Sequence, residues 1–133
     1  MKKTQKQKTW DWFSKYIRLK YASSSGYCSC YTCGIVKPWK QMQAGHGIGG
    51  RTNRILFNED IVRTQCGGCN IYAYGKLDEF GDKLCKEIGT AKYKRILRDK
   101  HIPLKRTEQQ LIDLELEFKT KAKLLAEEKG QQL

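Results

Sequence analysis

No stretch of this chain approaches the ~20 consecutive apolar residues that a membrane-spanning helix needs. The start is equally short of apolar residues. Met1-Lys2-Lys3 has the charge of a signal-peptide n-region, but polar Thr4 to Lys8 follow with no apolar segment behind them. These absences exclude a membrane partner and argue against a secreted, disulfide-bonded protein, so a cytoplasmic chain with reduced thiols is expected. Internal repeats and low-complexity tracts are missing too. Gly45-x-Gly47-x-Gly49-Gly50 lacks the G-K-[ST] ending of a phosphate loop. Apolar content is modest as well, with 30% charged residues and a mean hydropathy of −0.70. A small core makes a structural metal useful, since zinc contributes on the order of 10 kcal/mol to folding.

What the chain has instead is positive charge. Its 133 residues carry a net charge of +12, and the excess is uneven. Residues 1–20 hold seven Lys/Arg and one acid, and residues 61–106 hold eleven Lys/Arg and five acids. Residues 107–133 are net acidic. Basic charge clustered on the N-terminal arm and the middle favours a polyanion such as nucleic acid, and DNA is the expected partner.

The second abundance is cysteine. Cys30-Tyr31-Thr32-Cys33 and Cys66-Gly67-Gly68-Cys69 form two C-x-x-C pairs. Together they supply four thiolates, the set that suits tetrahedral Zn²⁺. Cys28 could replace Cys30 in this set, although the x-x spacing favours Cys30. Cys85 falls in a helical pattern and reads as a buried hydrophobe. A plain zinc ribbon needs only about 15–20 residues between its pairs. Here Gly34 to Gln65 is roughly twice that, enough for a β-hairpin.

The periodicity predicts an α+β chain. Residues 1–8 read as a disordered basic arm. Trp10, Phe13, Ile17 and Tyr21 predict an amphipathic helix over 9–22. Trp39 to Ala44 leads into a first hairpin strand, and either Ile55-Leu56-Phe57 or Ile61-Val62 returns. Lys76 to Ile88 reads as a helix ended by Gly89, with Thr90 capping a basic helix to about His101. Thr107-Glu108-Gln109-Gln110 is a capping box opening a helix to about Lys129. Leu111, Leu114, Phe118 and Leu125 share one of its faces. That stripe must be buried, either against the chain itself or in a homodimer. The expected domains are a zinc-bound unit over 9–101 and a helical extension over 102–133.

His46 sits alone between the cysteine pairs, in a glycine-rich loop. Imidazole has the pKa to deprotonate a water near neutral pH, and glycines on either side would let a DNA backbone approach. His101 has no such setting and reads as structural or as a minor contact. Asn70, directly after the last cysteine, either lends its carbonyl to Mg²⁺ or Mn²⁺ or caps a helix. Arg18, Arg51, Arg54, Arg63, Lys92 and Arg95 are candidate phosphate contacts. A cysteine knuckle holding a His-bearing hairpin, followed by Asn, is the layout of a ββα-metal (HNH-type) nuclease.

These residues together resemble the NinG/Rap family of phage recombination proteins. The resemblance runs from Tyr16-Ile17-Arg18 through Cys30-x-x-Cys33-Gly34 and Ala44-Gly45-His46. It continues through Phe57-Asn58-Glu59 and Gln65-Cys66-x-x-Cys69-Asn70 to Gly75, Leu84 and Gly89. It implies a zinc-stabilised HNH-like core, flanked by an N-terminal helix and C-terminal helices. It further implies a structure-specific endonuclease of branched DNA such as Holliday junctions, acting in the host cytoplasm. In that reading His46 is the general base, Asn70 the ligand of a catalytic metal, and the four cysteines hold zinc. The chain departs from the HNH pattern at three places. Ile61 replaces the Asn that braces the histidine loop, Arg63 stands where a His is common, and no acid immediately precedes His46. A looser loop or another brace is then expected. Two other readings remain: a non-catalytic zinc-stabilised DNA-binding protein, and an HNH nuclease that nicks ordinary duplex.

Overall fold

Thr4 opens the first helix. Its hydroxyl accepts from the Gln7 N–H at 3.2 Å, and the Gln7 side chain accepts from the Thr4 N–H at 2.9 Å. This capping box satisfies two otherwise orphaned donors. In this computed structural model, which describes residues 2–133, helix α1 therefore runs Gln5–Lys20. Half of the segment expected as a disordered arm is helical, because the cap outweighs repulsion among the lysines.

Two small antiparallel sheets follow. Strand β1 (Tyr27–Ser29) pairs with β2 (Val36–Pro38), and the first cysteine pair lies in the turn between them. Gly34 closes that turn at φ +80°, where an L side chain would be strained. Strand β3 (Gln43–His46) pairs with β4 (Val62–Gln65), Gln43 opposite Gln65 and His46 opposite Val62. Ile61-Val62 is thus the return of the second hairpin. Ile55 and Leu56 lie instead in the short helix α2 (Asn53–Leu56).

The second cysteine pair leads into one π-helical turn, Gly68–Tyr72. Helices α3 (Leu77–Ile88), α4 (Thr90–Asp99) and α5 (Glu108–Glu128) complete the chain. Gly89 at φ +94° separates α3 from α4 and itself occupies the cap position, so Thr90 is the first helical residue rather than the cap. The Thr107 box caps α5 as expected. The architecture is α+β: helices around two two-stranded sheets.

Helices α1 and α5 lie side by side in the same direction. Thr9 Oγ1 donates to the Leu111 carbonyl at one end, and Lys129 Nζ reaches the carbonyls of Leu19 and Ala22 at the other. Phe118 lies between them, its ring 4.7 Å from Phe13 and 6.1 Å from Phe57. Phe118 is buried, and Leu111, Leu114 and Leu125 pack half-buried against the chain's own cores, so the stripe by itself no longer argues for a homodimer.

Two cores result. One joins Phe13 and Ile17 to Ile55, Leu56, Ile61, Val62, Phe80, Leu84 and Phe118. The other joins Leu19, Trp39 and Met42 to the cysteines and to Ala122 and Ala126. The β3–β4 hairpin spans the gap between them.

Candidate functional site

Cys30, Cys33, Cys66 and Cys69 bring their sulfurs within 4.8 Å of one another. Four sulfurs at this spacing can hold a structural metal such as zinc. Cys28 is buried elsewhere, pointing into the second core, so the C-x-x-C residue and not its neighbour joins the cluster. Each knuckle is shaped by backbone bonds. Gly34 N–H donates to Cys30 O, Asn70 N–H to Cys66 O, and Cys69 N–H to Cys66 Sγ at 3.4 Å. Burial resists ionisation of Cys30. The Thr32 hydroxyl and the N–H groups of Cys66 and Cys33 overcome it, bringing that thiol down to about 6. Burial pushes Cys69 up to about 12. A bound metal requires all four as thiolates.

His46 ends β3 and is buried under α1. Trp10 stacks on its ring, centroids 5.2 Å apart and planes 17° apart. The Arg51 guanidinium lies over the Trp10 ring at 4.4 Å from its centroid. Burial drives the imidazole down to about 4, so it is neutral at physiological pH. Its Nε2 lies 3.0 Å from the Leu56 carbonyl. A carbonyl only accepts, so Nε2 carries the hydrogen and Nδ1 is left as the basic nitrogen. The brace that the HNH pattern assigns to Asn at position 61 is supplied here by backbone. Leu56 O holds the ring, and the Ile61 carbonyl accepts from Gly47 N–H at 2.7 Å.

The glycines beside His46 serve internal packing, not an approaching DNA backbone. A Cβ at Gly47 would lie 2.2 Å from Leu84 and 2.7 Å from Phe80, and one at Gly45 would lie 1.8 Å from Gln65 Oε1.

Asn70 faces Gly45 from the π turn. Its Nδ2 donates to Gln43 Oε1 at 2.7 Å, and its Oδ1 lies 3.0 Å from the place of a Gly45 Cβ. It caps no helix, since Lys76, at φ +49°, stands before α3. Strand alternation puts Gln43 and Gly45 on the Asn70 side of β3, and Ala44 and His46 on the α1 side. The structure thus places Asn70 against Gly45, the residue before His46, on the face of β3 opposite the imidazole.

The basic candidates divide sharply. Arg63 is 4% exposed and spent internally, on the carbonyls of Glu59 and Val62 and on Glu87 at 2.9 Å. Arg18 donates to the carbonyls of Ser14, Trp39 and Met42. Neither offers a free guanidinium to phosphate, which corrects both expectations. Arg54 holds Ile102 O and Pro103 O, and Lys92 pairs with Asp60 at 3.1 Å. Arg95 is exposed on α4. Arg51 lines a cleft of about 460 Å³ with Lys3, Lys6, Trp10 and Leu56, directly over the His46 stack.

The family model for the Bacteriophage Lambda NinG protein matches residues 1–128. The chain belongs to the NinG family. No curated protein and no solved structure matches it. NinG membership associates the chain with phage recombination. Among the described residues, no helix is long and apolar enough to cross a membrane.

Several residues of this NinG-family site were not singled out by sequence reasoning. Trp10 looked like one of four residues on a helical stripe. Gln65 entered only as the first residue of the Gln65-Cys66-x-x-Cys69-Asn70 run, with no role of its own. Tyr72 and Tyr74, 83% and 88% exposed, follow Asn70 in a loop where Tyr74 and Lys76 take positive φ. A signal existed only for the tyrosines, as aromatics directly after the Cys69-Asn70 pair.

Proposed function

We propose that this NinG-family chain is a metal-dependent endonuclease of branched DNA, acting in the host cytoplasm, with zinc on the four cysteines and His46 as general base. The observation that carries the reading is the state of His46. Its Nε2 is committed to the Leu56 carbonyl, which leaves Nδ1 as the free ring nitrogen. Burial that holds the ring down to about 4 makes it a weak base under Trp10, so it gains base strength only when Trp10 moves aside. A Mg²⁺ or Mn²⁺ ion at Asn70 would supply positive charge to a bound phosphate and its leaving oxygen. Because Asn70 lies across β3 from the His46 ring, one phosphate meets both only when His46 leaves its seat under Trp10. The chain's own groups do the rest. Lys3, Lys6 and Arg51 line the cleft over His46 and bind phosphate. Trp10 keeps the imidazole dry and must turn aside for substrate to reach it. Arg51, stacked on Trp10, couples that turn to phosphate binding. Tyr72 and Tyr74 offer π-faces to bases left unpaired at a branch.

A second reading is a zinc-stabilised DNA-binding protein that does not cut. The Trp10 cover over His46 and the missing acid before it favour that reading. A labelled four-way junction and its matched duplex, each incubated with Mg²⁺ and with EDTA, decide between them. The nuclease reading expects Mg²⁺-dependent junction cleavage, lower by about 10²–10⁴-fold in His46→Ala, which is the usual loss of a general base. Junction affinity should survive that substitution and fall steeply with salt. Undiminished cutting by His46→Ala overturns the mechanism. A junction that is bound but never cut leaves the second reading, and equal cutting of duplex makes it an ordinary nickase.

A further inference from the structure

Strand β4 buries three polar atoms that have no hydrogen-bond partner among the described residues: Arg63 Nε, Thr64 Oγ1 and Gln65 Oε1. Gln65 is wholly buried, and its amide orientation is fixed. Nε2 donates to the Gly75 carbonyl at 2.9 Å and to Thr32 Oγ1 at 3.1 Å. The Gly75 carbonyl only accepts, so the amide cannot be flipped and Oε1 must point the other way. There it fills the space that a side chain at position 45 would need, 1.8 Å from the place of a Gly45 Cβ. Asn70 Oδ1 approaches the same point to 3.0 Å, turned there by the Nδ2 bond to Gln43. Two amide carbonyls, from β4 and from the π turn, thus converge where residue 45 has no side chain. Such a buried oxygen left unpaired is costly, so a partner for it is expected. Amide oxygens of this kind are ligands of hard divalent cations.

We propose that Gln65 Oε1, together with Asn70 Oδ1, holds the divalent cation. The inference rests on the metal-dependent reading above and deepens it. It answers the absence of an acid before His46, because the missing ligand comes across the hairpin from β4. It also accounts for Gly45, since any side chain there would displace the Gln65 oxygen. Both protein ligands are uncharged, so the cation binds weakly to the chain alone and tightly once a DNA phosphate adds charge.

The test uses the zinc-loaded full chain, ¹⁵N-labelled and titrated with Mn²⁺ alone. Paramagnetic broadening should strike the side-chain NH₂ signals of Gln65 and Asn70, with Gln43 beside them, before those of the remaining Gln and Asn residues. Gln65→Glu should tighten Mn²⁺ at least tenfold by electron paramagnetic resonance, and Gln65→Met should remove the site with zinc content unchanged. If Gln65→Glu does not fold, the broadening in the unmutated chain decides. Mn²⁺ that leaves the Gln65 signal sharp overturns the proposal. So does equal Mn²⁺ binding by a folded Gln65→Met, or a trapped water on Oε1 that Mn²⁺ does not displace. Mg²⁺-dependent junction cleavage without broadening at Gln65 defeats this assignment and spares the nuclease reading. Broadening without cleavage does the reverse.

Discussion

The two ends of the four-pair β3–β4 ladder do opposite things. At one end, Gln43 and Gln65 stand beside the four sulfurs, and polar side chains converge on Asn70. At the other, His46 and Val62 are sealed under Trp10 and the α1–α5 pair. One end is shaped by short-range motifs. The other is shaped by helices far away in sequence. A local spacing can assemble ligands, but only packing from outside can set the pKa and access of a lone imidazole.

Breaking the sulfur end should have the largest effect. Cys33→Ser or Cys69→Ser, or stripping the metal, should unfold the chain, since a structural zinc supplies on the order of 10 kcal/mol. Circular dichroism and melting read this directly, and a metal-free chain with unchanged melting would refute it. At the aromatic end, Phe118→Ala should cost about 3–5 kcal/mol, the usual price of emptying a buried phenylalanine site. Chemical denaturation measures it. Glu at position 118 should not give a folded monomer, because the ring packs within its own chain.

The pH dependence of stability sharpens the contrast further. His46 titrates near 4 when folded, below the ordinary 6.5 of the unfolded chain. Its contribution is therefore fully present above pH 6.5 and declines as pH falls toward 4, by about 3 kcal/mol at most. His46→Gln should remove that part of the slope in denaturation curves across this window. Trp10→Ala should have a smaller effect, raising the His46 pKa back toward its ordinary value by readmitting water. An imidazole proton titration by NMR would show it, and an unmoved pKa would assign the depression to the strand and α2 instead of α1.

The sulfur end was almost wholly legible from spacing. C-x-x-C pairs fix ligand separation within a few residues of backbone, whatever surrounds them; the spacing favoured Cys30 over Cys28, and the geometry put Cys30 in the cluster. The start of α5 was legible because the capping box at Thr107 is written out. The matching box at Thr4 was missed because lysines flank it. The arginines were not legible at all. Arg63 and Arg95 have the same charge, yet one is walled in by Glu87 and carbonyls while the other faces water. No local pattern distinguishes them, because the difference lies in which distant segment covers each.

By itself, then, the sequence determined the four clustered cysteines, the Thr107 cap, the basic charge and the family, because each is written in residue identity and short spacing. Tertiary structure alone decided that Trp10 covers His46, that α5 spends its apolar stripe on α1, and that Gln65 and Asn70 meet at Gly45. Each of those joins segments separated by many residues or by a strand pairing. Such contacts follow from how the whole chain fills space, which no single stretch of it records.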